Sequence, residues 1–303
     1  MQHDVIVIGG GPAGLQAALT LGRMHRRVLV LDSGQYRNAP AEHLHNFLTH
    51  DGTPPAELRA RARADIAAYA TVTVREDRAA LVAPEDEGYA VTLSDGERVT
   101  ARRLVLATGV RDALPAVPGV EALFGSVVAH CPYCHGHEMA GTHVAVLGSG
   151  PQLLHLTGLM APIAARLTVL SDGAALDPDL ARALQSAGVC VRGEPIVGLC
   201  RSSAGATVSF ADGPDEEVGG MFVTTTSTQA APFAEQLGLD LNPSGCVRVD
   251  VLGRTSRAGV YAAGDLAHVA DLPMPMASVL NAAAAGLVAG AAIGADSLAD
   301  SLA

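Results

Sequence analysis

Two residue types are absent from this sequence, which contains neither tryptophan nor lysine. All 20 basic residues are therefore arginines. The missing lysine amine excludes P-loop, pyridoxal-phosphate and Schiff-base chemistry, because each requires that group. Aromatic residues are scarce as well, at 3%, although 49% of the chain is hydrophobic. The core must therefore be built mainly from alanine, valine and leucine.

Positive charge is also in short supply. The formal net charge of −11 argues against a nucleic-acid or anionic-membrane partner. Cysteine is sparse, and the pattern of five cysteines with only two close together is not that of a secreted disulfide framework. We expect the isolated Cys190, Cys200 and Cys246 to be buried as small apolar residues. The 303 residues are enough for two domains with ample core.

Two apolar segments resemble a signal peptide or a membrane-spanning helix, but each lacks part of that pattern. Residues 5–21 are preceded by His3-Asp4 instead of a basic leader, and three consecutive glycines interrupt them. Residues 277–295 are nearly uncharged, but they are mostly alanine and glycine, which drive insertion poorly, and they include Asn281. We predict that this second segment is a core helix packed closely on a sheet. We expect a cytoplasmic protein with no membrane partner.

The start of the chain has the pattern of a dinucleotide-binding turn. A short β-branched run at residues 5–8 leads directly into a Gly-x-Gly-x-x-Gly run at 9–14, and helical patterning follows at 15–23. Such glycines permit a tight turn and let the backbone approach a pyrophosphate, which then lies at the helix N-terminus. A second strand at 28–31 ends in Asp32, at the position where a carboxylate grips an adenosine ribose.

The next hundred residues predict a loop, a helix and a set of short strands. Residues 33–52 are polar and irregular, and residues 54–69 predict a helix with an arginine-rich exposed face. Alternating runs with a hairpin turn at Asp95-Gly96 predict an antiparallel insertion, and its strands are expected at residues 71–74, 79–82, 89–93 and 98–100. A further buried strand is predicted at residues 104–109.

A second, imperfect copy of the opening pattern begins 139 residues after the first, at residue 144. Its third glycine position holds Leu153, and its second strand, at 167–170, ends in Ser171-Asp172. The 2′-phosphate of NADP requires arginines at that point, and there are none. Asp172 could in principle bind the ribose of NAD, so the sequence leaves NAD binding undecided.

One more strand, at residues 260–265, also ends in an acidic residue, and the closing helix follows it. We therefore predict an α/β fold with two Rossmann-like three-layer dinucleotide-binding domains and an antiparallel β-meander. The first domain is discontinuous, with residues 1–115 and 240–303. The second, residues 116–239, is inserted into the first after a Pro/Gly-rich linker.

The most reactive stretch lies in the inserted domain, where residues 130–137 read HCPYCHGH. A Cys-x-x-Cys pair can form a disulfide and reopen, and a neighbouring cationic histidine lowers a thiol pKa from about 8.5 to roughly 3.5–7.5. A metal site is a second interpretation, but structural zinc usually needs a distant second ligand pair, and none is visible. Haem attachment is a third, and it requires an exported protein. We favour the redox dithiol and predict no metal.

Together these elements resemble the low-molecular-weight thioredoxin reductases over nearly the full length. The matching parts are the glycine turn, Asp32, the Cys131/Cys134 pair, and the segments Ala107-Thr108-Gly109 and Ala263-Gly264-Asp265. The reductases usually carry an acidic residue directly after the second cysteine, where this chain has His135. This difference, with Arg37-Asn38 and His45-Asn46-Phe47, looks more like a branch that includes the FAD-dependent dithiol oxidases of gliotoxin-type and holomycin-type biosynthesis.

The resemblance implies that most of the matching residues bind FAD. The pyrophosphate would be held by the glycine turn, namely Gly9, Gly11, Pro12, Ala13 and Gly14. Asp32 and Ser33 would bind the adenosine side. Other implied contacts are Arg37 and Asn38 to the cofactor, His45 and Asn46 toward the flavin, Thr108 and Gly109 within the same site, and Asp265 to the ribityl chain. Backbone N–H groups near Met276 and Ala277, at the start of the last helix, would face the flavin's pyrimidine edge.

The resemblance also implies a reaction in which a small-molecule dithiol is converted to its disulfide. Cys131 would be attacked first, Cys134 would lie nearer the flavin, and His135 or His137 would be the general base. Oxygen would be the electron acceptor, and the family implies a homodimer. Two rivals stay open at this point. One is an NAD(P)H-dependent disulfide reductase, and the other is a flavin-containing redox sensor.

Overall fold

The computed structural model of the chain describes residues 3–302. The strands are β1 (His3–Ile8), β2 (Val28–Leu31), β3 (Val72–Arg75), β4 (Ala79–Glu85), β5 (Gly88–Leu93), β6 (Arg98–Leu106), β7 (Val110–Ala113), β8 (Val128–Ala129), β9 (His143–Leu147), β10 (Arg166–Leu170), β11 (Cys190–Arg192), β12 (Ile196–Ser202), β13 (Gly205–Phe210), β14 (Glu216–Val218), β15 (Gly220–Val223), β16 (Thr226–Gln229), β17 (Val247–Val249), β18 (Val260–Ala262) and β19 (Ala267–Val269). The helices are α1 (Pro12–Arg23), α2 (Pro55–Ala67), α3 (Val120–Leu123), α4 (Pro132–His135), α5 (Gln152–Met160), α6 (Pro178–Ser186), α7 (Phe233–Gln236) and α8 (Val279–Leu302).

The chain packs into two compact units. The first contains the residues up to Arg37, then Pro55–Arg111, then the residues from Ser227 on, and the second contains Asn38–Pro54 and Asp112–Thr226. The chain therefore passes between the units four times. The loop before α2 belongs to the second unit, although the sequence-based boundaries place it in the first domain.

The first unit is built on a parallel sheet in the order β3-β2-β1-β6-β18. β6 is long enough to pair with different strands along its two halves. Its first half pairs antiparallel with β5, which pairs in turn with β4, and its second half pairs parallel with β1 and β18. Side chains of β1 enter one apolar cluster at Ile6 and Ile8 and the other at Val5 and Val7. The sheet is thus buried on both faces, as a Rossmann-like fold requires.

Helix α8 packs against α1 at a very short distance, because both helices present small residues to each other. A Cβ atom on Gly286 would lie 2.0 Å from the Ala13 carbonyl oxygen. Ala289, Ala292 and Ile293 join the apolar cluster of Val5 and Val7, so this face of α8 belongs to the core, as predicted.

The opposite face of α8 is open to solvent. Leu280, Leu287 and Leu298 are exposed there. Within residues 3–302, α8 is the one helix whose length and composition would allow it to cross a membrane, and only 28% of its most apolar window is buried. Helix α8 thus has two different faces. One consists of small residues and packs on α1, and the other exposes leucine side chains.

The contact between α1 and α8 gives a direct test of this packing. Gly286→Ala should lower the free energy of unfolding by about 1–3 kcal/mol, since the new methyl group would meet backbone. Gly294→Ala is the matched control, because nothing lies within 4 Å of a Cβ there. It should be neutral or stabilising by up to about 1 kcal/mol. Urea unfolding of both variants decides the matter, and equal midpoints would contradict this packing.

The second unit repeats the Rossmann-like architecture on a smaller scale. Its parallel sheet has the order β11-β10-β9-β15-β8, and an antiparallel meander of β12, β13 and β14 accompanies it. Alternate residues of β9 again enter two clusters, Ala145 and Leu147 in one and Val144 and Val146 in the other. The remaining pairings are β7 with β16 and β17 with β19.

Three sequence-based expectations about the fold are wrong in detail. The strand expected at 71–74 is β3, which pairs parallel with β2 and is not part of the antiparallel insertion. The strands expected at 98–100 and 104–109 are one continuous strand, β6. Cys190 and Cys200 are exposed, and only Cys246 is buried, because β11 is a sheet edge and β12 belongs to the outer meander.

Candidate active site

The turn between β1 and α1 is formed by glycines that have no room for a side chain. A Cβ on Gly9, whose φ is +122°, would lie 2.2 Å from the Ala107 carbonyl oxygen, and one on Gly14 would lie 1.9 Å from the Gly9 carbonyl oxygen. Gly11 differs from these, because nothing lies within 4 Å of its Cβ position. The tight part of the turn therefore packs on the protein itself, while the backbone at Gly11 faces open space.

The N-terminus of α1 is prepared for an anion. Gly11 is the N-cap, no side chain caps the helix, Pro12 opens it, and its first turn contains no acidic residue. Helix N-termini carry about half a positive charge and bind phosphate groups through backbone N–H donors, here at Ala13 and Gly14. The predicted pyrophosphate contacts at Gly9–Gly14 lie together at this turn.

Asp32, at the end of β2, is a buried carboxylate with several donors around it. Gly34 donates its backbone N–H to Oδ1 over 3.0 Å, and Tyr36 donates its hydroxyl to Oδ2 over 2.7 Å. Arg63 of α2 donates to the same Oδ2 atom. Burial and the bond to Asp32 raise the pKa of Tyr36, which keeps its hydroxyl a donor.

A cavity of about 740 Å³ opens beside this carboxylate. Its lining includes Asp32, Ser33, Tyr36, Arg59 and Arg63. The Arg59 guanidinium stacks over the Tyr36 ring at 3.7 Å. A polar, partly aromatic cavity next to a ribose-binding acid suits the adenosine half of a dinucleotide. Arg59 and Arg63 were not predicted, because only the fold brings α2 to the end of β2, and Tyr36 was not singled out within the polar loop that follows β2.

The carboxyl edge of the same sheet carries the other predicted cofactor residues. Gly9 lies against Ala107 and Thr108 of the segment after β6, and Gly109 has a left-handed φ of +70°. After β18, a Cβ on Gly264 would lie 3.0 Å from the Cβ of Ala13, so Gly264 packs against the glycine turn. Asp265 is the next residue along the chain. Arg37 and Asp265 form an ion pair of 2.7 Å.

The start of α8 is arranged differently from the expectation for Met276 and Ala277. The helix begins at Val279, and Ser278 accepts the Asn281 backbone N–H through its hydroxyl. The Ala277 N–H donates to the Pro275 carbonyl, and the Met276 side chain is exposed. A backbone contact from Ala277 to a flavin would therefore require that turn to open.

Cys131 and Cys134 form a disulfide with a Cα–Cα distance of 5.3 Å. They follow the edge strand β8, and Cys131 is the N-cap of the four-residue helix α4. Tyr133, between the two cysteines, is 66% exposed. Within residues 3–302 no three histidine, cysteine or acidic side chains are grouped to hold a metal ion.

His135, the residue after Cys134, is half-buried, and its ring has one unpaired nitrogen. The ring hydrogen-bonds the backbone of Gly125, and among the described residues the buried Nδ1 atom has no partner. Burial lowers the pKa of His135, although the Gly125 bond and Glu138 act in the opposite direction. A neutral ring with a free Nδ1 atom is a proton acceptor.

The loop 38–54 brings further groups to this dithiol unit. His45 Nε2 lies 3.5 Å from a Glu138 oxygen, and His45 Nδ1 lies 3.6 Å from an Asp51 oxygen. The Asn46 backbone donates to Asp51 over 2.7 Å. Asn38, His45 and Asn46 therefore belong to the unit that carries the cysteines, whereas Arg37 belongs to the unit of the glycine turn. His137 is exposed.

The second glycine turn, after β9, is closed by its own side chains. Leu153, at the third glycine position, is fully buried, and a Cβ on Gly150 would lie 2.5 Å from the Gln152 side-chain oxygen. Asp172 has a left-handed φ of +50° and accepts the Ile196 backbone N–H over 2.7 Å. One oxygen of its carboxylate is thus engaged in a turn.

The arginines of the second sheet are engaged as well. Arg192 and Arg166 both pair with the buried Glu216, at 3.1 Å and 2.9 Å. Arg192 also pairs with Glu194 over 2.9 Å. Arg192 is mostly buried in this network, whereas the Arg166 side chain is 55% exposed. The second unit therefore has a Rossmann-like sheet whose glycine turn departs from the nucleotide-binding pattern at Leu153.

Known proteins are similar to this chain in sequence and in fold. The family model of pyridine nucleotide-disulphide oxidoreductases matches residues 3–286. The chain belongs to this family. It is 32% identical to thioredoxin reductase sirT of Leptosphaeria maculans, over 96% of this chain and 93% of that protein. It is 34% identical to thioredoxin reductase tcpT of Claviceps purpurea, over 98% and 95%.

Solved structures agree with this assignment. The crystal structure of HlmI has a TM-score of 0.90 and 32% identity, covering 99% of this chain and 94% of that one. An oxidoreductase from Agrobacterium tumefaciens has a TM-score of 0.89 and 34% identity, covering 98% and 99%. The predicted α/β fold and the resemblance to thioredoxin reductases are confirmed. The chain is a flavin-dependent thiol/disulfide oxidoreductase.

Proposed function

We propose that this flavoenzyme is an FAD-dependent dithiol oxidase, which forms an intramolecular disulfide in a small dithiol metabolite with oxygen as the electron acceptor. The observation that carries the choice of oxidase is the second glycine turn. Leu153 fills the third glycine position of this turn and Asp172 already accepts a backbone hydrogen bond, and both features disfavour the NAD(P)H that a reductase needs. Electrons must then come from the thiol substrate.

FAD fits the first unit, where the residues that would hold it lie along one sheet edge. Gly11, Ala13 and Gly14 would hold the pyrophosphate, Asp32 and Ser33 the adenosine side, and Asp265 the ribityl chain. Arg37 would share Asp265 with the cofactor, since the two already pair. When bound, FAD supplies the two-electron acceptor that returns the dithiol to its disulfide and passes the electrons to oxygen.

The protein's own part of the reaction is thiol–disulfide exchange. A substrate thiolate attacks Cys131 Sγ, the Cys131–Cys134 bond breaks, and Cys134 leaves as a thiolate. The second substrate thiolate then attacks the substrate sulfur bound to Cys131, which releases the product disulfide and a Cys131 thiolate. Two electrons have passed from the substrate to the cysteine pair, and two protons have left the substrate thiols.

His135 is the base that we propose for one of these protons. Burial lowers the pKa of its ring, which favours the neutral form that accepts a proton. His137 was the second candidate from the sequence, and its side chain is exposed. Tyr133, which lies between the two cysteines in the sequence, has an exposed ring that an incoming substrate could meet.

An anaerobic flavin titration distinguishes oxidase from reductase. The purified yellow protein should lose its visible flavin absorbance on addition of a small dithiol such as dithiothreitol, and should keep it with NADPH or NADH. On readmission of air, the dithiol should support steady oxygen uptake. Rapid bleaching by a nicotinamide nucleotide would favour the reductase, and bleaching without steady oxygen uptake would favour the sensor. Homodimerisation and a cytoplasmic location stay predictions.

A further inference from the structure

The two oxygens of the Asp32 carboxylate have unequal surroundings. Oδ2 accepts two hydrogen bonds, one from the Tyr36 hydroxyl over 2.7 Å and one from Nη2 of Arg63. Among residues 3–302, Oδ1 accepts only one, from the Gly34 backbone N–H over 3.0 Å. A carboxylate oxygen has room for two donors, so Oδ2 is saturated and Oδ1 keeps one position for a further donor.

Arg63 is held in place from two sides. Its Nη2 atom also donates to the Tyr36 hydroxyl oxygen over 3.1 Å, and its Nη1 atom donates to Glu76 over 2.8 Å. The Asp32 side chain is 2% exposed, whereas that of Glu76 is 78% exposed. The guanidinium of Arg63 therefore connects a buried carboxylate to one at the surface.

Asp32, Tyr36 and Arg63 form a closed triangle of hydrogen bonds, which we call the Asp32 clamp. The Tyr36 ring is fixed further by the Arg59 guanidinium, which stacks on it at 3.7 Å. Oδ2 also lies against the glycine turn, since a Cβ on Gly10 would be 1.9 Å from it. Rotation of the carboxylate would break two hydrogen bonds at once, so the clamp fixes its orientation.

We propose that Arg63 and Tyr36 are positioning residues for FAD: by occupying Oδ2, they fix the Asp32 carboxylate so that Oδ1 accepts a hydroxyl of the adenosine ribose. An acceptor that is already oriented loses less freedom on binding, which favours affinity. Both residues line the cavity beside Asp32, so the clamp lies where the adenosine half of FAD would be bound. The inference deepens the proposed function and rests on its assignment of FAD to the first unit.

Helix α2 gains a role in cofactor binding by this inference, although it contains no part of the glycine motif. The alternative is a merely structural role, in which the bond from Arg63 to Asp32 only ties α2 to the sheet. The two roles differ in one respect. A positioning residue changes the affinity of the folded protein for FAD, and it does so through Asp32, whereas a structural tie changes only the stability.

Fluorescence titration of the apoprotein with FAD tests the proposal without turnover. Arg63→Gln should weaken FAD binding at least about tenfold, as expected when a hydrogen bond to a charged group is lost. Tyr36→Phe keeps the ring and removes only the hydroxyl, so it decides the question if Arg63→Gln fails to fold. It should weaken binding about threefold to tenfold. Arg61→Gln is the matched control, because Arg61 lies on the same helix and pairs with Glu57 at the surface, and it should bind FAD like the parent.

Two further comparisons assign the effect to Asp32 and to the adenosine half. ADP, used as a competitor of FAD, contains that half without the flavin, and it should lose affinity by the same factor as FAD. The double variant Asp32→Asn/Arg63→Gln should bind FAD no more weakly than Asp32→Asn alone, because Arg63 acts through that carboxylate.

Parent-like affinity for FAD in either Tyr36→Phe or a folded Arg63→Gln protein would overturn the proposal. A full additional loss in the double variant would also overturn it, since Arg63 would then act on the cofactor by another route. A lower thermal unfolding midpoint with unchanged affinity would leave only the structural role. Failure of the parent protein to bind FAD would disprove the proposed function itself, so the two failures are distinguishable.

Discussion

Cys134→Ser should abolish dithiol oxidation and leave the protein yellow. Serine oxygen cannot form the reversible sulfur–sulfur bond, so the exchange has no acceptor for the substrate's electrons. We expect the turnover rate to fall by at least about 10³-fold, as for other residues that form covalent intermediates. Flavin should stay bound, because the glycine turn and Asp32 belong to the first unit and Cys134 to the second.

The chain contains its own controls for this experiment. Cys190 and Cys200 are exposed and free, so Cys190→Ser and Cys200→Ser test whether loss of any accessible thiol lowers the rate. Both should keep the parent's oxygen uptake with a small dithiol. Turnover by Cys134→Ser at a rate near the parent's would disprove the dithiol mechanism, whatever the flavin content.

Gly11→Ala should weaken the binding of FAD without unfolding the protein. The backbone at Gly11 has φ −81°, which alanine adopts without strain, and nothing lies within 4 Å of the new methyl group. A pyrophosphate seated on the N-terminus of α1 would meet that group. Crowding of this kind costs about 1–3 kcal/mol, so the affinity for FAD should fall roughly tenfold to a hundredfold.

Two measurements make this prediction specific. The thermal unfolding midpoint of the apoprotein should match the parent's, and a fluorescence titration with FAD should give the weaker binding. Gly158→Ala, which also adds a methyl group to open space but in α5 of the second unit, should leave FAD binding unchanged. Parent-like affinity in Gly11→Ala would mean that the pyrophosphate does not lie at this turn.

The parts of the site that could be predicted are those fixed by short stretches of sequence. Strand, glycine turn and helix are contiguous, and the clashes at Gly9 and Gly14 explain why only glycine fits there. The Cys-x-x-Cys disulfide is equally local. The departure of the second glycine turn from the pattern could also be predicted, because Leu153 stands at its third glycine position.

The parts that could not be predicted depend on which segments the fold brings together. Alternation in residues 71–74 indicates a half-buried strand but not its neighbour, so β3 was assigned to the wrong pairing. Arg63 reaches Asp32 across 31 residues of sequence. His45 meets Glu138 only because the chain leaves the first unit after Arg37 and returns at Pro55.

The placement of residues 38–54 in the second unit limits how the protein can be re-engineered. A chimaera with a single graft, in which residues 112–226 replace the corresponding segment of another flavoenzyme, would carry the cysteines, His135 and Glu138 but leave His45 and Asp51 behind. Its recipient would supply whatever loop it has between its own equivalents of β2 and α2. Transplanting the whole second unit therefore requires four junctions, with the short loop moved alongside the larger piece.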